Sequence, residues 1–138
     1  MFSHTIQIRV RYSETDRMGY SYYGNYATYY EVARVEALRE LGINYKELED
    51  EGTLLPVSEF SIKYFKPAFY DDIIHITVSI TELPKARIKF LYESKNELGQ
   101  VINTGETVLV FVDKLSGKPK PAPHRILDKL KQFIHDKK

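Results

Sequence analysis

The 138 residues carry 20 Lys and Arg against 19 Asp and Glu, a net charge of +1, and contain no cysteine. That length suits one domain, residues 1–138, with one core and no room for a separate cofactor-binding domain, and the missing thiols exclude disulfides, a cysteine nucleophile and a thiolate-bound metal. The basic residues are scattered, with no stripe for nucleic acid, and there is neither a long apolar run nor a leader-like start, so a cytoplasmic protein with no membrane span is expected.

In chain order, Ile6, Ile8, Val10 and Tyr12 alternate with Gln7, Arg9 and Arg11, the period of a half-buried strand. From Asn25 to Leu41 the period becomes helical: Tyr26, Tyr29, Tyr30, Ala33, Ala37 and Leu41 share a face, and Gly42 ends it. Val32, Val35 and Leu38 fall elsewhere around the helix, so cover on several sides is expected. A short helix follows from Asn44, its cap, to about Glu51.

Strands are then expected over Ser58–Lys66, Asp72–Leu83, Arg87–Ser94 and Val101–Asp113, separated by turns at Lys66-Pro67-Ala68, Leu83-Pro84-Lys85 and Asn96-Glu97-Leu98-Gly99. Val108 to Val112 are apolar without interruption, which predicts a central strand covered on both faces. Beyond Ser116-Gly117-Lys118-Pro119, an amphipathic helix is expected from His124 to His135. This order predicts an α+β fold in which an antiparallel sheet curves around the long helix.

The segment joining the first strand to the long helix holds the candidate chemistry. Asp16, followed by Gly19, lies a few residues before the helix start, which brings a carboxylate near unpaired backbone N–H groups. Acyl transfer on a carbonyl needs those two features.

The pattern Thr15-Asp16-x-x-Gly19, Tyr23-x-Asn25-Tyr26 and Glu31-x-Ala33-Arg34, with Lys66-Pro67-Ala68, Asp71-Asp72 and Gly117-Lys118-Pro119, resembles the hotdog-fold thioesterases of the 4-hydroxybenzoyl-CoA thioesterase and YbgC type. The resemblance implies a hotdog fold and hydrolysis of an acyl-CoA thioester, or of an acyl carrier protein thioester, with no cofactor. It gives Asp16 the role of nucleophile or general base, and the Tyr23 backbone N–H that of polarising the carbonyl. Many YbgC-type members carry histidine at the position of Tyr23; a phenol, titrating near about 10, is a poor base at pH 7, so the Tyr23 side chain is assigned no acid–base role. The resemblance also implies a homodimer or homotetramer with the site between subunits.

Gly19, Gly24 and Asn25 are the further substrate-binding candidates beside the loop, with Asn25 equally suited to cap the helix. Glu31 either faces the site or pairs with Arg34 one turn on. Lys85 and Arg87, then Lys118 and Lys120, are candidates for the CoA phosphates or are solvated turn charges. The tyrosines from Tyr20 to Tyr30 either line an acyl pocket or belong to core and interface. His4, His75, His124 and His135 have no ligand spacing, so no metal is expected. Two other functions fit the same fold: a non-catalytic acyl-CoA-binding protein, against which Asp16 argues, and an acyl-CoA hydratase or dehydratase, against which the absence of a loop histidine argues.

Overall fold

The computed structural model describes residues 1–135. Its main sheet has the order β1 (Phe2–Arg9), β4 (Ile73–Ile80), β5 (Arg87–Lys95), β6 (Val101–Val110), β3 (Val57–Tyr64), and every neighbouring pair is antiparallel. A second, two-stranded sheet pairs β2 (Thr53–Leu54) with β7 (Val112–Asp113). The helices are α1 (Asn25–Glu40), α2 (Tyr45–Asp50) and α3 (His124–Leu130).

The alternation in β4 works as expected: Ile74, Ile76, Val78 and Ile80 are all fully buried on the face that meets α1. The expected run Val101–Asp113 is broken into two strands, because at Phe111 the chain leaves the main sheet and turns to pair with β2. β6 is interior but not central, and its outward Val108 and Val110 are only half-buried, so its second face lacks the full cover expected for it.

The predicted face of α1 is buried throughout, while Val32 stays 42% exposed. Leu38 is also buried and Val35 half-buried, so cover extends beyond the predicted face but leaves the Val32 side open. Its C-terminus closes with a Schellman pair: Ile43 N–H donates to Leu38 O (2.8 Å) and Gly42 N–H to Arg39 O (2.9 Å). Gly42 takes the left-handed φ of 83° that this closure requires. Asn44 caps α2 by accepting from the Lys46 and Glu47 N–H groups. The last helix is shorter than expected, ending at Leu130, with Ile134 buried beyond it and Phe133 edge-on to Phe2 at 5.1 Å.

While α1 lies closest to β1 and β4, one aromatic contact joins it to β5 and β6. The Tyr30 ring stacks on Tyr92 at 4.1 Å with 2° between planes, and its hydroxyl donates to Asn103 Oδ1 at 2.6 Å. A Cβ on Gly105 would stand 2.6 Å from the Tyr30 ring and 2.7 Å from Ser61 O, so only glycine admits the ring. Around this stack Arg34 Nε, Ser94 Oγ and Asn103 Nδ2 are buried with no hydrogen-bond partner among the described residues.

Gly105→Ala is expected to destabilise the protein by about 1–3 kcal/mol, the usual range for overpacking. Urea unfolding checks this: the midpoint should fall at unchanged slope.

Candidate active site

The Asp16 loop is built by its own hydrogen bonds. Asp16 Oδ1 accepts the N–H groups of Met18 (2.9 Å) and Tyr20 (3.2 Å), and Asp16 N–H donates to Tyr20 O (2.8 Å). Gly19 N–H donates to Asp16 O (3.0 Å) at a left-handed φ of 81°, where a side chain would be strained. The closure occupies Oδ1 and leaves Oδ2 without a hydrogen bond among the described residues.

The chain then runs to α1 beside the turn after β3. Ser21 N–H donates to Ala68 O (2.7 Å), and Tyr20 is edge-on to Phe69 at 5.4 Å. Asp72 Oδ2 accepts the Phe69 N–H (2.8 Å) and Asp71 adopts a left-handed φ of 69°, which together shape this opposing wall.

At the helix start, Asn25 N–H donates to Tyr22 O and Tyr26 N–H to Tyr23 O. The N–H groups of Tyr23 and Gly24 have no acceptor among the described residues. The cap residue is Gly24, not Asn25, and no side chain caps it. A Cβ on Gly24 would lie 2.7 Å from the Tyr22 ring, so a larger residue would displace that ring. Tyr64 at the end of β3 donates its hydroxyl to Tyr23 O (3.1 Å) and so anchors the Tyr23–Gly24 peptide.

These elements enclose a cleft of about 300 Å³, lined by Asp16, Tyr20, Tyr23, Tyr26, Tyr64 and Lys66 among others. Asp16 is its one carboxylate and Lys66 its one cation among the described residues. Burial pushes the phenols of Tyr26 and Tyr64 up, so both are neutral hydrogen-bonding walls and not bases at pH 7. A larger concavity of about 590 Å³ lies on the outer face of the sheet, but it lacks such a carboxylate: its acids Glu93 and Glu106 each pair with a lysine at 3.5 Å.

Asp16 and Tyr23 thus come together, with Gly19 and Gly24 shaping the backbone around them. Asn25 serves the loop instead: its Nδ2 donates to Glu14 O at 2.6 Å. Glu31 is exposed, does not line the cleft and makes no ion pair with the buried Arg34. Lys85 and Arg87 are remote within one chain. Arg87 begins β5 opposite Val110, whereas the cleft adjoins Tyr64, which is aligned through Asn103 with Ser94, about 23 Å further along the strand. Lys120 donates to Thr53 Oγ1, and Lys118 is exposed. The sequence marks Lys66 as part of a turn and of the family pattern, and Tyr64 as a strand residue; their place at the cleft comes from sheet order.

Residues 10–130 match the thioesterase-like superfamily. The chain belongs to that family. It is 32% identical to the acyl-CoA thioester hydrolase YbgC of Escherichia coli over 125 residues, 91% of this chain and 93% of that one. A 1,4-dihydroxy-2-naphthoyl-CoA hydrolase of Thermosynechococcus vestitus is 26% identical over 102 residues, 73% of this chain and 70% of its own. Among solved structures, the DHNA-CoA thioesterase of Staphylococcus aureus superposes with a TM-score of 0.84 at 32% identity, covering 96% of this chain and 84% of that one. The hotdog fold implied by the loop and helix motifs is therefore the fold of this family. No helix among the described residues is long and apolar enough to cross a membrane.

The loop behind Asp16 carries the clearest pH dependence. Glu14 is desolvated, which alone would raise its pKa. The Arg11 N–H and guanidinium and the Tyr29 hydroxyl outweigh this and hold it below its ordinary 4.5. Its contribution to stability is therefore fully present above pH 4.5 and is lost as pH falls through the lower folded value. Between pH 5 and pH 3 the wild type should lose more stability than Glu14→Gln, read from urea midpoints; equal losses would contradict this.

Proposed function

We propose that this protein hydrolyses an acyl-CoA thioester to the free carboxylic acid and CoA in the Asp16 cleft. One observation carries the reading: in a member of the thioesterase-like family, the cleft's one carboxylate shares that cleft with Tyr23, whose N–H is unoccupied at the start of a 16-residue helix. The names of the Escherichia coli and Staphylococcus aureus relatives support the same reaction.

The thioester carbonyl oxygen accepts from the N–H of Tyr23, with the neighbouring Gly24 N–H as second donor. As the carbonyl becomes tetrahedral its oxygen gains negative charge, and donors held in place by the helix start and the Tyr64 anchor stabilise it without reorganising. One such donor is worth about 2.7–4 kcal/mol of barrier. Asp16 Oδ2 either attacks the carbonyl carbon, giving a mixed anhydride that water then hydrolyses to free acid and carboxylate, or takes a proton from an attacking water; in both routes the C–S bond breaks and the thiolate takes up a proton to leave as the CoA thiol. Water supplies the remaining oxygen and protons, and no cofactor takes part. Among the described residues Lys66 is the cation that lines the cleft, available to a substrate phosphate or carbonyl.

The active protein is a homodimer or homotetramer with the site beside the subunit boundary. β3 is an edge strand, with Val57, Phe60 and Tyr64 each more than 40% exposed, and unprotected edges of that kind pair. The run Glu59-Phe60-Ser61-Ile62-Lys63 is complementary to itself about Ser61. A two-fold antiparallel pairing there sets Glu59 opposite the partner's Lys63 and Phe60 opposite the partner's Ile62. The location proposed is the cytoplasm.

The test is release of CoA thiol from short, long and aromatic acyl-CoAs, followed with a thiol reagent, beside the same acyl groups on acyl carrier protein. Hydrolysis of at least one CoA class is expected, and inertness toward all would contradict the proposal. Asp16→Asn should lower turnover by about 10² or more. Tyr23→Phe, which keeps the backbone N–H, should cost far less.

Assembly gives a separate check. Phe60→Lys should reduce oligomer mass and activity together in light scattering and assay. A fully active wild-type species near 16.1 kDa would overturn the shared site.

A further inference from the structure

We infer that Glu14 is a positioning residue that fixes the distance between the Asp16 carboxylate and the N–H groups before α1, an inference that rests on the reading of Asp16 as the reacting group. Its two ends hold different parts of the site. The backbone carbonyl of Glu14 accepts from Tyr22 N–H (2.8 Å) and from Asn25 Nδ2 (2.6 Å), which ties the loop to the residues on either side of Tyr23 and Gly24.

The carboxylate accepts from Arg11 N–H (2.8 Å), Arg11 Nη2 (2.9 Å) and the Tyr29 hydroxyl (3.0 Å), which ties the same residue to the strand end and to α1 one turn in. Only 10% of this side chain is exposed. Each phenol has one proton, and that of Tyr29 goes to Glu14, so Ser21 must donate to the Tyr29 oxygen at 2.9 Å. The donors run in one direction, from the hydroxyl of Ser21 through Tyr29 to the carboxylate; Oε1 takes the Tyr29 hydroxyl and the Arg11 N–H while Oε2 takes the Arg11 guanidinium, so an amide at position 14, with one acceptor oxygen, cannot serve both sides. Ser21 itself lines the cleft.

Asp16 lies two residues beyond Glu14, in a loop held on its far side by its own short-range bonds and by Ser21 N–H on Ala68 O, so rotation of Glu14 shifts Asp16 relative to the helix start. Misplacing a reacting group by about 1 Å can cost about 10² in rate. The charge of Glu14 takes no part in the chemistry; it acts through Asp16 and Tyr23.

The test compares Glu14→Gln, Tyr29→Phe and the double variant with wild type on a hydrolysed acyl-CoA at pH 7, well below their melting temperatures. Glu14→Gln is expected to lower kcat about tenfold with KM within about twofold, and Tyr29→Phe to lower it less. The double variant should be no worse than Glu14→Gln, because both changes break one tether. Wild-type kcat in folded Glu14→Gln, additive losses, or a loss equal to the unfolded fraction would each overturn the inference.

Should Glu14→Gln fail to fold, Tyr29→Phe decides alone, and wild-type kcat there overturns it. Asp16→Asn, run in parallel, separates the two claims: if it is fully active, the reading of Asp16 fails. In that event amide hydrogen exchange in the variants judges the tether by itself. Faster exchange at Tyr22 with an unchanged α1 supports it, and unchanged exchange at Tyr22 overturns it.

Discussion

The flat stack of Tyr30 on Tyr92 is the constraint on which the rest of this structure depends. The Tyr30 ring lies flat on that of Tyr92 and over Gly105, with its hydroxyl on Asn103. That contact fixes the start of α1 over β5 and β6, while the rest of the helix lies closest to β1 and β4. The start of α1, one turn before Tyr30, is thereby delivered to the end of β3, where Tyr64 takes hold of the Tyr23 carbonyl.

The site follows from that delivery. A helix start offers donors, but they become useful only when a reacting carboxylate is held opposite them and water-bound alternatives are removed. The Asp16 loop closes on itself through Oδ1, and Glu14 fastens it to the helix. The Tyr26 and Tyr64 phenols stay neutral because burial penalises their charged forms. Tyr29 is pushed up to about 12 by burial above all, with the Glu14 carboxylate adding to this, so it remains the donor that the Glu14 carboxylate requires. Among the described residues the cleft thus has one carboxylate set among aromatic walls, an arrangement suited to acyl transfer.

Period and punctuation in the sequence disclosed most of the fold. The alternating isoleucines of β4, the tyrosine and alanine face of α1, and the glycine that ends it all sit where their spacing implied. The Asp16 loop was legible for the same reason, since its carboxylate, glycine and helix start are close in sequence. What escaped depends on contacts between distant segments. The break at Phe111 follows from pairing with β2, which composition does not reveal. Sheet order puts Lys85 and Arg87 far from the cleft within one chain, at the start of β5, and brings Lys66 and Tyr64 to it. Asn25 looked like a cap or a substrate ligand, and its engagement with Glu14 O depends on a loop conformation that no local pattern encodes.

The central claim is that the reacting carbonyl sits against the Tyr23 and Gly24 N–H groups, facing Asp16. Titrating ¹⁵N-labelled protein with a non-hydrolysable thioether analogue of a hydrolysed acyl-CoA, and following amide resonances, tests it directly. The account predicts the largest shifts at Tyr23 and Gly24, with Met18 and Tyr20 also moving because their N–H groups bind Asp16. Saturable binding that shifts amides elsewhere, on the outer face of the sheet for example, while Tyr23 and Gly24 stay still, would contradict it.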